Sequence, residues 1–136
     1  MFGKEEEGEM RKILYSPGYG AGWTTWGGDT PEQKKFMLEY QPFIAFIEGG
    51  GQFDVKFGGD DKIEAHPLVV EFKAEWKRRW PEKIEIIDGK EYGYPYFGGL
   101  RDLQVKTVPV GARVRIDEYD GSESVAVEGA NEDQWL

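Results

Sequence analysis

Cysteine is absent from this chain, and histidine occurs once, at His66. Without cysteine there are no disulfides, no thiolate nucleophiles and no Cys-ligated zinc or iron–sulfur sites. His66 stands just before Pro67 with no ligand-type companions nearby, so it reads as the residue that starts a helix, and no metal or cofactor is expected. No apolar run approaches the ~20 residues that a membrane-spanning helix needs. Residues 1–10 are acidic, the opposite of a basic signal-peptide start, so a cytoplasmic protein is expected. Also missing are an internal repeat, a domain-splitting linker and the nucleotide fingerprints: there is no GxxxxGK[ST], and no GxGxxG turn running straight into a helix.

Aromatics and glycine are what the chain has in quantity: five Trp, seven Tyr, eight Phe and nineteen Gly in 136 residues. A chain of this length fits one domain, and its large side chains can build a core without staples. The net charge of −9 is uneven: residues 1–10 carry −3, residues 117–136 carry −7, and residues 11–116 are left at +1. The expected organisation is an acidic lead over 1–10, one domain over 11–128 and an acidic tail over 129–136. Direct nucleic-acid binding is disfavoured, because phosphate attachment rests on Lys and Arg. The acid either keeps the chain dissolved or forms a face that occupies a basic cleft on a partner.

The pattern predicts an α+β fold, with a small antiparallel sheet and two helices packed on one face. Residues 11–16 read as a strand. Thr30 is placed to cap a helix, with Pro31 at its first position and Gln33 where a capping box wants it. Phe36, Met37, Tyr40, Ile44 and Ile47 continue that stripe, with Pro42 kinking or restarting it before Gly49. A second helix runs from Pro67 to Pro81, with Val69, Phe72, Trp76 and Trp80 on its buried side. Residues 83–88 are a strand candidate. Residues 103–127 predict a three-stranded antiparallel meander, turning at 109–111 and at Asp120-Gly121, the sequence a type I′ turn prefers.

Three constellations are candidates for function. In the first, Ser16, Gly18, Tyr19, Gly20, Gly22, Trp23, Thr24, Thr25 and Trp26 form a Gly-rich loop. Alternating glycines let backbone N–H groups approach an anion, hydroxyls add donors, and the rings can stack on a base. The competing reading is a crossover whose tryptophans plug the core. In the second, a two-residue turn sets Glu118 across the ladder from Glu123, a pair that needs a cation, donors or water to compensate it. Such a pair can serve acid–base chemistry, but no nucleophile or substrate clamp accompanies it, so an enzyme is not expected. The third is the loop over 92–102, where Tyr94 and its neighbours can flank a ring. There Arg101 can grip a phosphate or carboxylate, or pair with Asp102, Glu118 or Glu123.

The stretch KILYSPGYGAGWTTW over 12–26, with GGLRDL over 98–103 and RIDEYDGSES over 115–124, resembles a family of small bacteriophage and prophage proteins. The resemblance covers both ends of the domain, and the acidic lead looks like an addition to it. It implies a phage protein acting in the host bacterial cytoplasm, a setting in which small non-enzymatic proteins serve counter-defence. The expected function is sequestration of a nucleotide-derived immune signal, with loop N–H groups and Arg101 on its phosphates and aromatics on its bases. The alternatives are an acidic nucleic-acid mimic that blocks a host defence protein, or a structural accessory of the phage. A homo-oligomer is compatible with either binding role.

Overall fold

A computed structural model describes residues 9–55 and 61–128 of the protein. The acidic lead up to residue 8, the acidic tail from residue 129 and the short stretch 56–60 lie outside the described residues. The fold is α+β. Strand β1 (Met10–Tyr15) is followed by the short helix α1 (Thr24–Gly27), then α2 (Pro31–Leu38), α3 (Gln41–Glu48) and α4 (Pro67–Arg79). Strands β2 (Glu85–Ile87) and β3 (Lys90–Tyr92) come next, and then β4 (Gln104–Pro109), β5 (Arg113–Tyr119) and β6 (Ser122–Glu128). No helix among the described residues is long and apolar enough to cross a membrane.

Local chemistry fixes the helix ends. Thr30 accepts the Gln33 N–H at 3.1 Å, while the Gln33 side chain accepts from Asp29 N, one residue earlier than a capping box would place it. Pro42 restarts the helix rather than kinking it, because the α2 stripe ends at Leu38 and α3 opens with Pro42 in its first turn. His66 caps α4 through Nδ1, which accepts from Leu68 N at 3.2 Å, and its ring lies against Phe46 and Phe53. That is the helix-start role its position suggests.

The strands form three antiparallel ribbons of two strands each: β1 with β4, β2 with β3, and β5 with β6. The C-terminal hairpin is present in its expected register, with Glu118 opposite Glu123 and positive φ at both Asp120 and Gly121. The first strand of the expected meander pairs elsewhere. β4 takes β1 as its neighbour, with Leu14 opposite Val105 and Met10 opposite Pro109. The turn after Pro109 does form, as Ala112 N donates to Pro109 O, but the hairpin beyond it is drawn to the end of β1 instead of to β4. Glu123 N donates to Ser16 O at 2.8 Å, and Gly20 N to Asp120 O at 2.8 Å.

The core is an aromatic cluster between the β1–β4 ribbon and the helices. Trp23 is fully buried at its centre, with ring centroids 5.8 Å from Phe43, 5.5 Å from Phe72 and 6.3 Å from Phe97. Its indole N–H donates to Met37 O at 2.9 Å, which supplies the partner a buried indole needs. Trp76 is buried on α4 as its stripe predicts, and donates to Gly93 O. Trp76→Ala and Trp23→Ala should each cost about 3–5 kcal/mol. Urea unfolding of the two variants checks this, with the denaturation midpoints expected to fall together.

Candidate functional site

The segments named from the sequence meet at one place. Ser16 leaves β1, the chain loops through three glycines to α1, and the β5–β6 tip lies along this loop. The turn over Gly98–Asp102, which carries Arg101 on its exposed side, closes the other flank. Ser122 Oγ donates to Pro17 O at 2.5 Å, and Ser16 Oγ to Ala21 O at 3.3 Å. Two glycines are demanded by this closeness. A Cβ on Gly99 would strike the carbonyl of Gly22, and one on Gly121, already at φ +84°, would strike the backbone N of Ala21. The Asp102 carboxylate lies where a Cβ on Gly18 would go.

The loop does hold an anion, and it is the protein's own. Glu123 is 1% exposed. Its Oε1 accepts from Ser16 N at 2.9 Å, and its Oε2 accepts from Trp23 N at 2.6 Å, Thr25 N at 3.0 Å and Thr25 Oγ1 at 2.6 Å. The two N–H groups bonded to Oε2 lie where α1 begins and have no partner within the helix, so the carboxylate caps that helix from another part of the chain. A Gly-rich nest that reads as a phosphate cradle is therefore filled from within.

Glu118, on the same face of the hairpin, accepts from Gly121 N at 2.6 Å and from Trp26 Nε1 at 3.3 Å. The cross-strand carboxylates are thus compensated by N–H donors. Trp23 and Trp26, three residues apart, take opposite places. Trp23 is core and out of a ligand's reach, whereas Trp26 is 44% exposed with its ring 5.8 Å from that of Tyr96. Tyr19 and Tyr119 are also exposed, the latter at 73%. Ser16 and Thr24 are buried.

Tyr94 does not join this junction. Its hydroxyl donates to Glu91 at 2.7 Å, and Lys73 of α4 lies 4.5 Å over its ring. Burial, and then Glu91, push that hydroxyl up to about 12. Among the described residues no cluster of three metal-ligating side chains occurs. The predicted segments lie together, but the loop donors expected to meet an outside anion are bound to Glu123, which the hairpin register turns to the same face as its apolar pairs. It missed Gly99 and Asp102 as packing partners of the loop. No protein-family model matches the chain, and no curated protein or solved structure is significantly similar to it.

Removing Glu123 leaves the buried N–H groups of Ser16 and Trp23 and the half-buried N–H and hydroxyl of Thr25 unpaired, each buried group costing about 1–3 kcal/mol. Glu123→Ala should therefore lower stability by at least ~3 kcal/mol. Glu123→Gln should fall between it and the parent, since an amide oxygen can keep the Oε2 bonds while its NH2 opposes Ser16 N. Chemical denaturation of both variants should return that order.

Proposed function

We propose that the protein is a non-enzymatic, phage-encoded counter-defence factor that binds and blocks a basic surface on a host defence protein. The phage setting comes from the resemblance of the loop and hairpin motifs. The observation that favours a protein partner is the Glu123 carboxylate in the loop. With the nest occupied, the loop and hairpin become a rigid mount whose outward groups are Tyr19, Trp26, Tyr96 and Tyr119 beside Glu118 and Asp120. Tyr and Trp on a preorganised surface supply contact area at low entropic cost, the composition that dominates binding energy in interfaces. A net charge of −9 steers such a surface toward a basic partner.

Sequestration of a nucleotide-derived signal is the second reading, and what favours it is the Trp26–Tyr96 ring pair as a stacking platform, with Arg101 on the neighbouring turn. It would have to take its phosphates outside the nest.

The test is plating of phage on a defence-carrying host, with the gene present in parental and variant form. The double variant Tyr19→Ala, Tyr119→Ala should keep its melting temperature, since both side chains are exposed, yet lose protection. Raised salt should weaken capture of the purified host target by the parental protein. Heat on titration with a cyclic dinucleotide or a cyclic ADP-ribose isomer, lost in Arg101→Ala, would replace this reading with sequestration. Turnover of such a compound would end the non-enzymatic one.

A further inference from the structure

A second feature uses none of the loop–hairpin residues. Between α2 and α4 lies a groove of about 690 Å³, walled by Glu32, Glu39, Glu71 and Glu75 and floored by Phe36 and Tyr40. Its two lining cations, Lys35 and Arg79, do not balance four acids. Lys35 and Arg11 are engaged with Glu39, while Arg78 and Arg79 are engaged with Glu75. Glu32 and Glu71 make no ion pair or hydrogen bond among the described residues. The groove therefore carries two exposed carboxylates with no ion-pair partner among the described residues, beside the rings of Phe36 and Tyr40.

The second observation is Tyr40. Its side chain is 9% exposed, with the ring packed edge-on against Phe43 and Phe72. The hydroxyl has no hydrogen-bond partner among the described residues and is not sealed from solvent, so it opens into the groove that the side chain lines. Burial, and then Glu71 and Glu75, hold this hydroxyl up to about 12, so it remains a neutral group with lone pairs to offer. The groove also shows what it accommodates. The guanidinium of Arg79 sits 4.7 Å over the Phe36 ring while its Nε donates to Glu75 at 2.7 Å, a cation held between an aromatic face and a carboxylate.

We infer that this groove is a binding site for an extended organic cation of the alkylammonium or guanidinium type. Its charged ends meet Glu71 and Glu32, and a donor N–H reaches the Tyr40 hydroxyl, beside the Arg79 guanidinium that covers Phe36. Such a cation comes either as a free linear polyamine or as the side chains of a basic peptide segment. The inference stands apart from the proposed partner surface, and either can fail without the other.

The experiment is calorimetric titration of the full chain with spermidine and, separately, with a blocked tri-arginine peptide, at physiological ionic strength. One or both should saturate at one-to-one stoichiometry, and magnesium at matched ionic strength should not displace them. The arm that saturates identifies the source. Glu71→Gln combined with Glu32→Gln should weaken binding about tenfold or more, as loss of two charge contacts requires. Tyr40→Phe, which keeps the ring and the packing, should weaken it roughly threefold through one lost hydrogen bond. Melting curves should show all variants folded. Absence of saturation by both probes, equal displacement by magnesium, or unchanged affinity in the carboxylate variants would overturn the site.

Discussion

The carboxylate of Glu123 takes one hydrogen bond at Oε1 and three at Oε2, and every donor belongs to the segment between the end of β1 and the first turn of α1. That segment is short, glycine-rich and mostly turned away from water, so its N–H groups have no other route to satisfaction. With the carboxylate in place, the loop can close over Trp23 and deliver its indole to the core. The hairpin that carries Glu123 is held by the same contacts. One side chain thus couples the C-terminal ribbon, the glycine loop and the aromatic interior.

Around that anchor, the aromatic residues divide by what surrounds them. Trp23, Phe43, Phe72 and Trp76 interlock between sheet and helices, where ring pairs add to burial. Trp26, Tyr19 and Tyr119 stay at the surface beside the carboxylates of the hairpin. The ion pairs of α4 are of a different kind. Glu75 is drawn down to about 2 by Arg78 and Arg79, yet both arginines are exposed and water screens the pairs, so they solvate the helix more than they stabilise it.

Elements governed by local chemistry were legible in the sequence. Thr30, Pro31 and Gln33 announce α2, and Asp120-Gly121 announces its hairpin, because caps and turns are decided within four residues. The β1–β4 pairing was not legible, since it joins Tyr15 to Gln104 and nothing near either strand specifies the other. The tryptophan loop fell between these cases. Its glycines and aromatic residues stood out, but Trp23 and Trp26 carry the same local signals, and only the tertiary position of Glu123 separates them. The groove between α2 and α4 escaped for a related reason: Glu32 and Glu71 each look like ordinary solvated helix residues until the two helices are packed together.

The bond from Ser16 N to Glu123 spans 107 positions of sequence. Contacts of such separation are late ones, because closing the intervening chain carries an entropic cost before it returns anything. During synthesis, α2, α3 and α4 emerge long before β6, so the glycine loop spends that interval with its amides open to water. The C-terminal hairpin is in this sense a latch, and a chain cut short before β6 would leave the amides of Ser16, Trp23 and Thr25 without the carboxylate that pairs them.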